Sequence, residues 1–141
     1  LHGDQYAVLV MDLDSFKQIN DTYGHQAGDQ VLKDFVELIK AYSRKEDRLF
    51  RFGGEEFLLL LPNTDQDSLQ TVASHLQQQV ALQLKGPGGT VTMSSGGAIL
   101  QRGEHWETML QRADQRLYLA KSAGRNRAIV SDHTEVHALG D

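Results

Sequence analysis

Acidic side chains follow two apolar segments of the chain, and simple structural roles do not explain them. Glu55 and Glu56 come directly after Gly53-Gly54, and Asp12 closes the apolar run 6–11. A carboxylate at the end of a buried strand is costly unless it is paired, hydrogen-bonded or bound to a metal. If the two segments are neighbours in a sheet, Asp12 and Glu55 could share hard divalent cations, which prefer oxygen ligands. Magnesium held in this way usually carries phosphates on its open positions.

A buried strand and a hairpin would position these carboxylates. The run 6–13, rich in Val and Leu, predicts a strand buried on both faces. Apolar runs at 49–52 and 57–61 flank the two glycines, which is typical of a β-hairpin with a two-residue loop and predicts its strands at 48–52 and 56–61. That hairpin explains the glycines without any function. Asp14 precedes a predicted helix and is expected to be its N-cap.

The rest of the chain alternates helices and strands. Helices are predicted at about 15–23, 29–44, 65–82 and 106–122, strands at 91–100 and 127–130, and a loop at 85–89. The strand 91–100 is expected to be weakened or bulged at Gly96-Gly97. Periodicity alone supports an α/β fold with three layers or an α+β fold. With 141 residues the chain is one domain by size.

Composition excludes several classes of function. A net charge of −5 argues against binding to a nucleic acid polymer, which needs a basic face. The absence of cysteine excludes a disulfide framework and a thiolate metal site. No apolar stretch approaches the roughly 20 residues of a membrane helix, and no signal peptide opens the chain, so we expect no membrane contact by this segment.

Several segments together resemble one family. They are 11–21 (MDLDSFKQIND), 23–29 (YGHQAGD), 53–57 (GGEEF), 112–118 (RADQRLY) and 120–127 (AKSAGRNR). In this order they resemble the GGDEF domain of diguanylate cyclases, in its GGEEF variant, over most of the chain. The resemblance implies a central, mostly antiparallel five-stranded sheet surrounded by helices, similar to the palm of nucleotide cyclases and polymerases. It places a catalytic domain at 1–130 and a tail at 131–141, in the bacterial cytoplasm.

The implied reaction condenses two GTP molecules into cyclic di-GMP and two pyrophosphates. Each subunit of a homodimer would hold one GTP. By the resemblance, Asp12 and Glu55 bind two Mg²⁺ ions (or Mn²⁺) through their side chains, and Leu13 binds through its backbone carbonyl. Glu55 is also the candidate acceptor of the 3′-hydroxyl proton, and Glu56 assists the metals or orients the hairpin. Lys17 matches a phosphate-binding position and is counted with these two as catalytic.

Other matching positions would bind the substrate. Asn20 and Asp29 match the guanine-reading pair, and His25 matches a position near the substrate. A carboxylate can accept hydrogen bonds from guanine N1–H and N2–H₂, and an amide can satisfy O6 or N3. The structural alternatives are a helix-terminal or turn residue for Asn20, an N-cap of the long helix for Asp29, and a loop-stabilising role for His25.

Four further positions complete the implied substrate site. Gly53 and Gly54 would border the nucleotide, and Lys121 and Arg125 match phosphate-binding positions. Without the resemblance, these two cations would be a solvated face near a helix C-terminus, where the helix dipole favours positive charge.

Arg44 and Asp47 match the RxxD inhibitory site of the family, at which the product cyclic di-GMP binds. Arginine can bind guanine O6 and N7 or a phosphate bidentately. The alternative is an exposed i,i+3 ion pair, which contributes little to stability.

Two departures from the family set further expectations. Such domains usually begin with a segment like Asp-x-Leu-Thr-Gly-Leu-x-Asn-Arg, which this sequence lacks, and a regulatory domain or coiled coil is also absent. We therefore expect a longer parent chain with a regulatory domain. Alternative functions are a catalytically silent module that senses GTP or cyclic di-GMP, and a phosphorylated receiver domain. A receiver would need an earlier acidic pair and a late Lys-Pro, and the sequence has neither.

Overall fold

A computed structural model describes residues 5–132 and shows a mixed order of strands and helices. The elements are β1 (Tyr6–Leu13), α1 (Phe16–Tyr23), α2 (His25–Ala41), β2 (Arg48–Gly53), β3 (Glu56–Pro62), α3 (Gln66–Gln83), β4 (Lys85–Gly86), β5 (Gly89–Thr90), β6 (Met93–Ile99), α4 (Trp106–Ser122) and β7 (Arg127–Ile129).

Five of the strands form one sheet in the order β2-β3-β1-β6-β7. Only β6 and β7 are parallel, and the other three pairings are antiparallel. The central strand β1 is buried from residue 7 to residue 13, because strands flank it on both edges and helices cover both faces. The prediction of a mostly antiparallel five-stranded sheet is confirmed.

Successive residues of β1 face opposite sides of the sheet. Leu9 and Met11 pack in the larger core with α2 and α3, in which the rings of Phe35 and Phe57 lie 5.1 Å apart. Val8 and Val10 pack instead under α4. By this alternation the side chain at position 12 belongs to the α4 side of the sheet.

Two helix starts differ from the predictions. Helix α2 begins at His25 rather than near Asp29, because the break between the two helices lies at Gly24 (φ 93°). Helix α1 begins at Phe16 after Ser15, whose backbone is left-handed and whose side chain makes no cap. The prediction that Asp14 caps this helix is therefore wrong.

Two other predicted segments also differ. Residues 85–89, predicted as a loop, belong to a small two-stranded hairpin formed by β4 and β5. Strand β6 is not bulged at Gly96-Gly97, since its pairing with β1 continues without interruption from Met93 to Ile99. A Cβ atom on Gly96 would overlap the carbonyl oxygen of Ala113 and the backbone nitrogen of Leu117. The glycine is needed because α4 packs directly on the strand.

No helix between residues 5 and 132 is both long and apolar enough to cross a lipid bilayer. The domain boundary at residue 130 stays a prediction, and the predicted tail lies outside the described residues from residue 133 onward.

Candidate active site

The hairpin tip and the end of β1 lie side by side. Strand β1 pairs with β3 so that Asp12 is opposite Glu56, and the Leu13 backbone N–H donates to the Glu55 carbonyl oxygen at 3.4 Å. Asp12 and Glu55 line one cavity of about 180 Å³. The structure thus brings together two carboxylates that are 43 positions apart in the sequence.

Asp12 is buried, and only one of its two carboxylate oxygens is satisfied. Its Oδ2 forms an ion pair with the Lys121 ammonium on α4. Its Oδ1 is buried and has no hydrogen-bond partner within the described part of the chain. Burial raises the pKa of Asp12, and the charge of Glu55 raises it further, while Lys121 lowers it. The free oxygen is a position that a cation would satisfy.

These donors fit a hard divalent ion. Within residues 5–132, no three or more His, Cys, Asp or Glu side chains form a cluster that could hold a metal by themselves. The cavity instead offers two carboxylates, Asp12 and Glu55, next to the main chain of Leu13. Magnesium commonly binds through one or two carboxylates and completes its octahedron with water and substrate phosphates.

Two more carboxyl groups add to the negative potential. Burial raises the pKa of Glu56, and the charges of Asp12 and Asp114 raise it further. Asp114 lies on α4, and burial raises its pKa as well. Sequence reasoning did not select Asp114 as a site residue, although it lies inside one of the matching segments.

Three basic side chains line the same cavity. Lys17 is exposed on α1 and pairs with Asp21 at 3.0 Å, and Lys121 lies on the last turn of α4. Arg125 follows α4 in a turn where its own backbone is left-handed. These cations can offset the charge of a bound polyanion, so the cavity combines groups for a metal with groups for a phosphate chain.

Asp14 also lines this cavity, and the sequence did not indicate its surroundings. Its Oδ1 accepts from the Ser94 hydroxyl at 2.6 Å, and its Oδ2 accepts from the Thr92 hydroxyl at 2.6 Å and the Asn126 backbone N–H at 3.0 Å. Thr92 and Ser94 are alternate residues near the start of β6. The two hydroxyl side chains on one face of a predicted strand were a signal in the sequence, but no local pattern connects them to Asp14.

The predicted guanine-binding residues lie on the two adjacent helices α1 and α2. Asn20 is partly buried, and a Cβ atom on Gly28 would overlap its Oδ1. Asp29 is the next residue of α2 and is exposed, and His25 is exposed at the first position of that helix. Asp29 therefore lies within α2, and the alternative that it is the N-cap is wrong.

The glycines of the hairpin tip leave open space beside Glu55. Gly54 has a left-handed backbone (φ 42°), and no atom lies within 4 Å of the position a Cβ would take on Gly53 or Gly54. The strand pairing shifts between Arg51 and Gly53. Arg51 donates to the Gly54 carbonyl oxygen from Nε at 3.0 Å and from Nη2 at 2.6 Å, which holds the tip from one side.

Arg44 and Asp47 bind each other. The Arg44 backbone N–H donates to Asp47 Oδ2 at 2.7 Å, and its Nη2 donates to Asp47 Oδ1 at 2.9 Å. The same Nη2 also donates to the Pro62 carbonyl at 2.7 Å and the Thr64 hydroxyl at 2.8 Å. The Asp47 side chain is only 3% exposed, so the pair of Arg44 and Asp47 is not the exposed i,i+3 ion pair that the sequence offered as an alternative. It fastens the turn after α2 to the end of β3.

Comparison with known proteins agrees with this architecture. The family model described as "Diguanylate cyclase, GGDEF domain" matches residues 1–127. The diguanylate cyclase DgcP of Pseudomonas aeruginosa is 39% identical over 132 residues, which is 92% of this chain and 20% of that protein. DgcM of Escherichia coli is 40% identical over 129 residues, covering 92% of this chain and 32% of DgcM. The chain spans 20–38% of the length of the curated relatives it matches.

Solved structures give the same result. The GGDEF domain of DgcB from Caulobacter crescentus, in complex with c-di-GMP, superposes with a TM-score of 0.84 and 34% identity over 91% of this chain and 78% of that one. The active GGEEF domain of a Vibrio cholerae diguanylate cyclase superposes with a TM-score of 0.84 and 32% identity, covering 89% of this chain and 82% of that one. From the fold, the convergent carboxylates and these matches, the chain belongs to the family of diguanylate cyclase GGDEF domains.

Proposed function

We propose that this chain is a magnesium-dependent diguanylate cyclase domain that condenses two GTP molecules into cyclic di-GMP and two pyrophosphates. The observation that carries the proposal is the cavity shared by Asp12 and Glu55, in which a buried carboxylate oxygen is free. Three cations line the same cavity, so a triphosphate and its metal ions can be bound together. Family membership supports this reaction class.

The proposed metal ligands are the carboxylates of Asp12 and Glu55 and the backbone carbonyl of Leu13. Two bound Mg²⁺ ions, or Mn²⁺, would orient the triphosphate and offset negative charge near the α-phosphorus and the leaving pyrophosphate. The side chains of Lys17, Lys121 and Arg125 would neutralise the remaining phosphate charge. Because Lys121 pairs with Asp12, its ammonium would lie between the metal-binding carboxylates and the phosphates of a bound GTP.

The chemical step is an attack by a ribose 3′-oxygen. This oxygen forms a bond to the α-phosphorus of the other GTP, while the bond from that phosphorus to the pyrophosphate oxygen breaks. Glu55 is the proposed acceptor of the 3′-hydroxyl proton. Glu56 contributes negative potential at the hairpin tip, where burial and nearby carboxylates raise its pKa.

Selectivity for guanine is proposed to come from Asn20 and Asp29, with His25 nearby. Gly28 allows the Asn20 amide to lie directly against α2, so the two helices act as one recognition surface. Adenine would leave the carboxylate and the amide unpaired, which penalises its binding strongly. Gly53 and Gly54 would admit the nucleotide beside the carboxylates.

A homodimer and a longer parent chain belong to the same proposal. One chain holds one GTP, and the second GTP would come from a partner subunit. The relatives are longer than this chain, and one matching structure contains the coiled coil and GGDEF domain of DgcB. Another is the diguanylate cyclase SiaD in complex with its activator SiaC. We therefore propose a cytoplasmic bacterial signalling protein that carries a regulatory segment besides this domain.

We further propose feedback inhibition by cyclic di-GMP at Arg44 and Asp47. Arg44 is exposed, and its Nη1 forms an ion pair with Glu46 at 3.7 Å. Product binding would have to compete with the hydrogen bonds between Arg44 and Asp47. Calorimetric titration of cyclic di-GMP should show weaker binding to Arg44→Ala, with the unfolding midpoint measured in parallel. Equal affinity in the two folded proteins would refute this site.

The reaction itself is tested by incubating a dimerised fusion of the chain with GTP and Mg²⁺ and separating the nucleotides by chromatography. We expect cyclic di-GMP from the parent and none from Glu55→Ala. Glu107→Ala is a matched control, because Glu107 lies in the first turn of α4, about 20 Å along the helix from Lys121. Tight GTP binding without turnover by the dimer would instead support the silent sensing module.

A further inference from the structure

We propose that Asp14 is a positioning residue that holds the turn at 124–126 and, through it, aims Arg125 at the phosphate-binding side of the cavity. The inference deepens the proposed function, because it concerns how the same cavity would bind a triphosphate.

The first step is the saturation of the Asp14 carboxylate. Ser94 donates to one oxygen, while Thr92 and the Asn126 backbone N–H donate to the other. The Asp14 backbone N–H donates in turn to the Thr92 carbonyl at 2.9 Å. The buried side chain therefore joins β1, the start of β6 and the turn after α4. Asp12 differs, since its Oδ1 has no partner in the described chain.

The second step is the conformation of the turn. Gly124, Arg125 and Asn126 have consecutive positive φ angles of 122°, 65° and 51°. Left-handed backbone is unfavourable for a long side chain such as arginine and more tolerable for asparagine. Such conformations persist when the surrounding contacts determine them, and they are frequent at functional sites.

The third step is what fixes this turn. Helix α4 ends in a Schellman motif, in which the Arg125 N–H donates to the Ala120 carbonyl at 3.0 Å and the Gly124 N–H donates to the Lys121 carbonyl at 3.3 Å. Those bonds hold the turn to its own helix. The Asn126 N–H bond to Asp14 is the contact that ties it to the strand carrying Asp12.

The consequence concerns Arg125. Its side chain lines the cavity with Asp12, Glu55 and Lys121, and its backbone lies between the Schellman bonds and the Asp14 bond. Losing the Asp14 bond would let the turn relax and move the guanidinium away from the other groups. The position of the Arg125 guanidinium should therefore affect the affinity for ligands with several phosphates strongly and the affinity for a nucleoside monophosphate only slightly.

The test compares the full chain with Asp14→Ala, which removes both acceptor oxygens, with Arg125→Ala and with the double variant. Affinities for a non-hydrolysable GTP analogue and for GMP are measured by calorimetry in the presence of Mg²⁺. We expect Asp14→Ala to weaken binding of the GTP analogue about tenfold and GMP binding by less than about twofold. Because Asp14 acts through Arg125, the double variant should bind like Arg125→Ala alone. Additive losses, or unchanged affinity for the GTP analogue, would overturn the proposal.

Ser94→Ala is the matched control, because it removes a donor from the other Asp14 oxygen and leaves the turn bonded. It should keep the preference for the GTP analogue over GMP, and a loss equal to that of Asp14→Ala would indicate general packing rather than positioning. If Asp14→Ala does not fold, Asn126→Pro is the second variant, since proline has no backbone N–H to donate to Asp14 and leaves Asp14 itself unchanged. An unchanged preference in Asn126→Pro would contradict the inference.

Hydrogen exchange of the nucleotide-free protein separates this inference from the proposed function. The Asn126 amide should be protected in the parent and exchange faster in Asp14→Ala. Equal exchange rates would show that Asp14 does not hold the turn at 124–126, whatever the ligand results are. If the parent chain fails to bind the GTP analogue while the Asn126 amide is still protected, the proposed function and the role of Arg125 in phosphate binding are refuted. The hold of Asp14 on the turn at 124–126 would then still be supported.

Discussion

At the scale of single residues, two aspartates on one segment have opposite environments. Asp14 receives three hydrogen bonds, whereas Asp12 has one ion pair and a buried oxygen without a partner in the described chain. A buried, incompletely satisfied carboxylate costs folding free energy. A protein can retain such a carboxylate if a ligand that binds during its function, such as a metal ion, satisfies the free oxygen.

This contrast predicts the behaviour of Asp12→Asn. Without metal, the stability of the variant should differ from that of the parent by no more than about 1 kcal/mol, because the loss of the ion pair with the partly exposed Lys121 is offset by the removal of a buried, incompletely satisfied charge. Thermal unfolding with and without Mn²⁺ checks the second half of the prediction, which is that Mn²⁺ stabilises the parent but not the variant. Asp21→Asn, at an exposed pair with Lys17, should keep the Mn²⁺ effect. An Mn²⁺ effect retained in Asp12→Asn would be inconsistent with metal binding there.

Much of the candidate site was predictable residue by residue, and the reason is chemical. Asp12 and Glu55 stand out because carboxylates next to apolar strands need compensation, which the sequence alone shows. The role of Asp14 was not predictable, because its three donors are 78, 80 and 112 positions away. The local sequence predicts that Asp14 caps helix α1. In the structure its carboxylate instead accepts hydrogen bonds from residues distant in the sequence.

At the scale of elements, the contact between β6 and α4 depends on a missing side chain. A Cβ atom on Gly96 would overlap backbone atoms of α4, whereas one on Gly97 would first meet the Val130 side chain at 2.9 Å. Gly96→Ala should therefore lower the free energy of unfolding by about 3 kcal/mol, and Gly97→Ala by clearly less. Urea denaturation of both variants measures the difference. Equal losses would show that α4 can shift away from the strand.

The loop before α4 contains a pH-dependent ion pair. Arg112 donates to both Glu104 oxygens, at 2.7 and 2.8 Å, and this bonding lowers the pKa of Glu104 from its ordinary 4.5 to about 2. Because the folded pKa is depressed, the stabilisation is complete above about pH 4.5 and is lost as the pH falls toward 2.

Glu104→Gln should therefore reduce stability by about 1–2 kcal/mol at pH 7, and the difference from the parent should shrink steadily toward pH 3. Urea unfolding across this pH range measures it, with Glu107→Gln as a control that should show no such trend. A difference that stays constant with pH would mean that the carboxylate charge contributes nothing.

Element types were predictable from periodicity, and the errors lie where tertiary contacts override local signals. The sequence Gly28-Asp29 resembles a helix start, yet Gly28 is inside α2 because the Asn20 side chain needs the space. Gly96-Gly97 resembles a bulge, yet the strand is regular because α4 packs on it. The hairpin at 85–90 is too short for any periodic pattern.

At the scale of the whole molecule, the proposed reaction needs two chains, since each would bring one GTP. The specific activity of the isolated chain should then fall on dilution, because the active dimer dissociates, whereas that of a covalently dimerised fusion should not change. Initial rates measured over a hundredfold range of protein concentration test this. A specific activity independent of concentration in the unfused chain, at concentrations where sedimentation shows monomers, would contradict the dimer requirement.

The assembly of the site exceeds what periodicity can predict. The family resemblance implied a mostly antiparallel five-stranded sheet, which the pattern of apolar residues alone did not indicate, and the order of its strands is seen only in the structure. Lys121 and Asp12 are 109 positions apart in the sequence. They can form an ion pair because α4 packs on the face of β1 that carries the even-numbered residues, such as Val8 and Val10. Once the sheet order is known, alternation along the strand accounts for the contact.

The central claim is that Asp12 and Glu55 hold the same metal ions with a guanine nucleotide. The most direct measurement is the anomalous difference map of crystals grown with Mn²⁺ and a non-hydrolysable GTP analogue. We predict a manganese peak within coordination distance, about 2.0–2.3 Å, of oxygen atoms from both carboxylates and from the phosphate chain. A nucleotide bound with no manganese between these two side chains, or with manganese elsewhere, would contradict the account.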